Sequence, residues 1–109
     1  MTVVRDYEEI LAVIEQYADG HKFGSDLMKK SFHRNAIINA EPIQTLYDAI
    51  DEAGVCQPVT RVDILDVTCR IACARVTIEK CYGKNYIDFL QLMKTDDGWK
   101  IVSKIYQEF

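Results

Sequence analysis

Tyr86-Ile87-Asp88-Phe89-Leu90-Gln91-Leu92-Met93-Lys94-Thr95-Asp96-Asp97-Gly98-Trp99-Lys100-Ile101-Val102-Ser103-Lys104-Ile105-Tyr106 is the stretch that decides the fold. Two runs rich in strand-forming residues flank Asp96-Asp97-Gly98, where a glycine accepts the positive φ that closes a tight hairpin. With a three-residue loop, Thr95 faces Trp99, Met93 faces Ile101, Gln91 faces Ser103 and Phe89 faces Ile105. The alternate side pairs Leu92 with Val102, Leu90 with Lys104 and Asp88 with Tyr106. Asp88 and Lys104 are then diagonal neighbours on one face. A two-residue loop would shift the pairing and send them to opposite faces.

Upstream of the hairpin the period-two pattern continues. Strands are expected over about Val59 to Val67 and Ile71 to Glu79, with turns at Thr68-Cys69-Arg70 and Cys81-Tyr82-Gly83-Lys84-Asn85. The first half of the chain is helical instead. Tyr7, Ile10, Leu11, Ile14, Tyr17 and Ala18 follow helical spacing, predicting a helix from about Thr2 to Asp19 that stops at Gly20. Ser25 offers an N-cap for a brief second helix, Asp26 to about Phe32. Ala36 to Asn39 reads as a short strand, and Pro42 suits the first position of a third helix that ends at Gly54. Helices followed by a strand meander make an α+β fold, with helices on one face of a largely antiparallel sheet. Both faces of the last hairpin carry apolar residues, so a homodimer through one sheet face is expected.

Composition narrows the class. The chain has 109 residues, a length that suits one domain spanning 1–109. No apolar run approaches the roughly 20 residues of a membrane span. The N-terminus turns acidic at Asp6 rather than apolar, which points to a cytoplasmic protein with no membrane partner. The net charge is -4, and the scattered basic residues offer no concentrated face for a phosphate backbone, so nucleic acid is not an expected partner. Cys56, Cys69, Cys73 and Cys81 contain no C-x-x-C pair. Cys69 and Cys73 lie too far apart along extended chain to bridge. All four are expected as free thiols filling a core in a reducing compartment. His21 and His33 are isolated from one another and from acidic partners, so neither metal nor cofactor is expected.

The hairpin from Tyr86 to Tyr106 resembles the C-terminal hairpin of the SnoaL-like and "putative lumazine-binding" families of the nuclear-transport-factor-2-like superfamily. Tyr17-Ala18-Asp19-Gly20-His21, Ser25-Asp26 and Ser31-Phe32-His33-Arg34-Asn35-Ala36 match in the same order, with Arg34-Asn35 standing where the family usually has Pro-Asp. The resemblance implies a cone-shaped, cystatin-like α+β barrel: a curved sheet wrapped on helices around a pocket for a small apolar or aromatic ligand. Its functions range from isomerase, dehydratase or cyclase to non-catalytic homodimeric interaction modules, and shared fold does not choose among them.

A pocket enzyme of this type needs an acid or base and donors for a developing oxyanion. Asp88, Tyr17 and His21 are the catalytic candidates. Tyr47, His33, Lys104, Tyr106 and Trp99 are the candidate ligand contacts. Each has a plainer reading: an ion pair between Asp88 and Lys104, tyrosines and tryptophan as core, histidines as caps or surface. Ala72 and Ala74 leave room for a cavity or a close partner. No G-x-S-x-G, phosphate loop or zinc pattern is present.

Overall fold

The computed structural model describes residues 3–109; Thr2, where the first helix was expected to begin, lies outside them. Helix α1 spans Val3–Phe23 and α2 spans Ser25–Lys29. Strand β1 (Phe32–Ile38) and the two-residue β2 (Glu41–Pro42) precede α3 (Gln44–Ala53). Four long strands follow: β3 (Val59–Thr68), β4 (Ile71–Cys81), β5 (Lys84–Thr95) and β6 (Gly98–Glu108). They form one open six-stranded sheet in the order β2-β1-β6-β5-β4-β3. All pairs are antiparallel except β1 with β6, which is parallel. No helix among the described residues is long and apolar enough to cross a membrane.

Gly20 does not stop α1. A Cβ built there would lie 2.6 Å from the Met28 Cβ, so this glycine lets α1 and α2 approach closely while the helix runs on. The helix ends at Gly24, whose φ of 113° a side chain would disfavour. Ser25 is not the N-cap of α2; its hydroxyl donates to Asp51 Oδ1 of α3, tying two helices together. Pro42 pairs with Ile37 in the β1–β2 ladder, and α3 begins two residues later.

The register of the last hairpin differs from expectation in an instructive way. Thr95 faces Gly98, Lys94 faces Trp99, Met93 faces Lys100 and Leu92 faces Ile101, the pattern of a two-residue loop at Asp96-Asp97. A bulge at Val102 then inserts one unpaired residue. Beyond it Gln91 faces Ser103, Leu90 faces Lys104, Phe89 faces Ile105 and Asp88 faces Tyr106. The short loop would have placed Asp88 and Lys104 on opposite faces; the bulge returns them to the same one. It also moves the buried set of β6 from Trp99 and Ile101 to Lys104.

Bulges also interrupt β3 between Ile64 and Asp66 and β4 between Ile78 and Cys81. Such irregularities bend and twist strands, and the sheet curves around α1. The concave face buries Ala72, Ala74, Val76 and Ile78 of β4 with Leu90 and Leu92 of β5. From α1 it receives Ile10, Ile14 and Tyr17, which are fully buried. The convex face is uncovered: Ile71 is 57% exposed, Phe89 53% and Ile105 60%.

The free-thiol expectation is corrected for two of the four cysteines. Cys56 and Cys81 form a disulfide across 25 residues. The Cys56 amide donates to the His21 carbonyl at 2.8 Å, which pins the loop after α3 beside the end of β4 and brings the two thiols together. Cys69 and Cys73 are free, but neither fills the core as expected: Cys69 is exposed and Cys73 half-buried.

Candidate functional site

Tyr17 on α1 and Asp88 on β5 meet inside the curve of the sheet. The Tyr17 hydroxyl donates to Asp88 Oδ2 at 2.5 Å. Asp88 is 1% exposed, and its second oxygen, Oδ1, is buried with no hydrogen-bond partner, alone in this among the described residues. A buried acceptor left without a partner costs about 1–3 kcal/mol, more when charged. Such a group calls for an explanation: an ordered water or ion, strain, or a catalytic or binding role.

Lys104 is 4% exposed. Its Nζ lies 3.9 Å from Asp88 Oδ2, a charge contact beyond hydrogen-bond distance. The same nitrogen sits over two ring faces, 4.8 Å from the Tyr17 centroid and 5.1 Å from that of Tyr106, positions where the ring quadrupole attracts a cation. Burial lowers the Lys104 pKa and the Asp88 charge opposes that. Tyr17 goes the other way: burial, then the adjacent carboxylate, raises its pKa well above the ordinary value. It stays protonated and serves as a donor that orients Asp88.

His21 completes the cluster, edge-on to the Tyr17 ring at 5.2 Å. Burial, and then the Lys104 charge, lower its pKa to about 4, so near neutrality the ring is uncharged. Its Nδ1 is 3.0 Å from the Ala18 carbonyl. A carbonyl can only accept, so Nδ1 carries the proton and Nε2 is left as an acceptor.

Asp88, Lys104, His21 and Tyr106 line a cavity of about 210 Å³. Leu46 and Ile50 of α3, Ile78 and Cys81 of β4, and Tyr86 supply apolar wall. An apolar pocket with a few convergent polar groups is the usual form of a small-molecule site. Tyr17 stands behind Asp88 rather than in the cavity wall. A larger groove, about 740 Å³, runs between β1 and the start of α3, but it is open and contains no buried charged group.

Three candidates fall elsewhere. Tyr47 packs against Phe32 and borders the open groove. His33 accepts the Asn35 amide through Nδ1 at 3.0 Å, a local turn contact. Trp99 is buried at the other end of α1, donating from Nε1 to Asp6 Oδ1 at 3.2 Å. Tyr86 had a readable signal, since it lies two residues before Asp88 and shares its face of β5. The disulfide at Cys81 and the bond from the Tyr82 hydroxyl to the Gly54 carbonyl, 2.5 Å, had none: both depend on where the α3 loop lands.

The family model described as "Putative lumazine-binding" matches residues 5–107. The chain belongs to that family. A nuclear-transport-factor-2-like protein of unknown function from Shewanella baltica is 30% identical, covering 100% of this chain and 98% of its own, with a TM-score of 0.86. Another, from Methylobacillus flagellatus, is 26% identical over 100% of this chain and 95% of its own, with a TM-score of 0.91. The α+β architecture is therefore that of the nuclear-transport-factor-2-like superfamily. A curated relative, the aldolase FrzH of Cladobotryum sp, is 25% identical and spans 95% of this chain and 92% of its own length. In this member of that family the buried Asp88–Lys104 pair lies in the wall of the 210 Å³ cavity.

Proposed function

We propose that this protein, acting as one domain, binds a small organic molecule in the cavity above Asp88 and moves a proton on it. One observation carries the reading: a buried carboxylate with one oxygen held by Tyr17 and the other, Oδ1, without a partner. A ligand donor, or an acidic C–H, would satisfy it. Asp88 is the general base or acid, Tyr17 its positioning residue, and Lys104 the group that steadies negative charge developing on a ligand oxygen. Nε2 of neutral His21 is a further acceptor. On a carbonyl compound, isomerisation, β-elimination of water, aldol-type cyclisation and the aldol step implied by the relative's name each begin with removal of a proton beside the carbonyl group. The aromatic and aliphatic wall favours an apolar or aromatic ligand.

Native mass spectrometry of freshly purified protein tests the binding, together with ¹³C-methyl spectra of Ile50 and Ile78 during titration with small aromatic carbonyl compounds. A retained ligand, or shifts confined to those methyls and lost in Asp88→Asn, is the expected result. Equal shifts in wild type and Asp88→Asn would refute the role of the carboxylate.

The convex face supports a second element of the reading, a homodimer. Arg75, Phe89 and Ile105 lie in one row across β4, β5 and β6, and Ile71 pairs with Met93 in another. Arg75 apart, Phe89 with Ile105 and Ile71 with Met93 are exposed apolar neighbours, and apolar surface of this kind marks an association surface. Light scattering at micromolar concentration should return twice the chain mass of 12.5 kDa; the mass of one chain would reject the dimer.

A further inference from the structure

Lys104 does not look like an ordinary salt-bridge partner. Among the described residues it is the one lysine that is buried, yet its nitrogen makes only a 3.9 Å approach to Asp88 and no hydrogen bond to a protein acceptor. It lines the same cavity as Asp88, whose other oxygen, Oδ1, is without a partner. A structural ion pair would close to hydrogen-bond distance and satisfy both carboxylate oxygens, because an unsatisfied buried pair is destabilising. An amine desolvated in an apolar pocket, with a proton acceptor beside it, is instead the arrangement that makes lysine a nucleophile, while the ring faces and the Asp88 charge favour the ammonium.

We propose that Lys104 forms a covalent Schiff base with an aldehyde or ketone held in the cavity, which makes the substrate class a carbonyl compound. This deepens the small-molecule reading above and rests on it, with Lys104 taking up the developing negative charge as an iminium rather than as an ammonium beside a ligand oxygen. The Lys104 ammonium first passes a proton to Asp88. The freed lone pair attacks the carbonyl carbon, a C–N bond forms, and the C=O π pair moves to oxygen, which takes the proton back from Asp88. The carbinolamine nitrogen then loses a proton to Asp88, and that proton goes to the hydroxyl. The C–O bond breaks, water leaves, and the nitrogen lone pair closes the C=N bond. Ammonium and carbonyl thus become iminium and water, with charge conserved. Asp88 is returned ionised, beside the α-carbon whose C–H bond the iminium has made acidic. Burial helps at the first step, since desolvation favours the neutral amine while Asp88 opposes it.

The test is reductive trapping. The full chain is incubated with benzaldehyde or with cyclohexanone, reduced with sodium borohydride, and read by intact mass and peptide mapping. The expected outcome is one adduct per chain on Lys104, formed at least tenfold faster than modification of any surface lysine. Lys104→Met should abolish it. Because Lys104→Met strands Asp88, a double variant, Asp88→Asn with Lys104→Met, serves as a second trap-dead control, and circular dichroism verifies that each is folded. Shifts of the Ile50 and Ile78 methyls without a Lys104 adduct would overturn the Schiff base and leave the binding reading standing. Neither shifts nor adduct would sink both. An adduct that persists in Lys104→Met would also overturn the assignment.

Discussion

Helix α1 carries the same three chemical parts at each end and uses them differently. Near its start, Asp6 meets a lysine and an aromatic donor: Lys94 Nζ at 3.0 Å and Trp99 Nε1 at 3.2 Å, both on Oδ1. Near its end, Tyr17 brings an aromatic donor to Asp88 while Lys104 stands 3.9 Å off. Asp6 leaves no buried oxygen without a partner, and the Lys94 and then Trp99 hydrogen bonds hold its pKa below the ordinary carboxylate value. Asp88, a residue of a cavity wall, keeps Oδ1 unsatisfied. In the function proposed above, the contrast separates a carboxylate that fastens a helix to a sheet from one left open to a ligand. Satisfaction of hydrogen bonds, rather than burial or charge, draws the line.

The sharpest way to break this comparison is to neutralise each carboxylate in turn. Asp88→Asn should lower ligand-dependent turnover about 10²- to 10⁴-fold, the usual worth of a positioned acid or base. Asp6→Asn should lower Tm and leave turnover within about twofold, as expected for a site remote from the chemistry. Parallel rate and melting measurements on the two variants decide. If Asp6→Asn damages turnover as much as Asp88→Asn, the two ends are not functionally distinct.

Why one end was readable in sequence and the other was not follows from what sets each. Asp88 declares itself by interrupting an apolar strand, and the pairing of Leu90 with Lys104 follows from period two near the middle of the hairpin. The expected three-residue loop reached that pairing by a different route, because the two-residue loop and the Val102 bulge cancel beyond Gln91. Between Leu92 and Thr95 they do not cancel, which is why Met93 faces Lys100 rather than Ile101. The parallel pairing of β1 with β6 and the Cys56–Cys81 bridge depend on where long connections return, and no local period encodes that. Trp99 and Tyr47 were candidate ligand contacts because aromatic residues at core spacing look alike until packing assigns each to one neighbour. Asp6, a single acidic residue in a first turn, carried no signal of its partner 93 positions away.

Removing the disulfide should separate the ends by stability. By the loop-entropy estimate, closing a 25-residue loop is worth about 3.5 kcal/mol. A Cys56→Ser, Cys81→Ser variant should lose about that much in urea unfolding, with hydrogen exchange rising first around Gly54, Cys56 and Tyr82. Protection at Trp99 should hold until global unfolding. A thiol titration of the denatured, unreduced wild type should find two reactive thiols, Cys69 and Cys73; four would mean that the bridge is absent in solution.

Acid should discriminate the ends by pH window. His21 binds a proton near 6.5 when unfolded but only near about 4 when folded. Between those values the unfolded chain holds more protons, so stability is full above about pH 6.5 and falls as pH drops toward 4, by on the order of 3 kcal/mol. Asp6 acts lower: its folded pKa lies below the usual 3.8, so its contribution is present above 3.8 and disappears only as pH falls beneath it. His21→Gln should remove the upper step and spare the lower. Thermal melts from pH 7 to pH 3 would show a single step in wild type if the burial of His21 were without consequence.

The smallest expected effect lies at Gly20, at the Asp88 end of α1. Alanine is favoured over glycine inside a helix by about 1 kcal/mol, so propensity alone makes Gly20→Ala stabilising. The added methyl would lie 2.6 Å from Met28 Cβ and 3.0 Å from Met28 Cα, and the second contact is backbone that cannot rotate away. Overpacking of this kind costs about 1–3 kcal/mol, so the net change is destabilising by about 1 kcal/mol. The strain is local to the α1–α2 contact, three residues from Tyr17, so relief by moving α1 displaces the Tyr17 hydroxyl from Asp88 before it reaches Asp6. Gly20→Ala should therefore weaken ligand binding while Trp99 fluorescence stays at its wild-type maximum. A variant more stable than wild type, with unchanged binding, would mean that α2 adjusts freely and that Gly20 does not set the approach of the two helices.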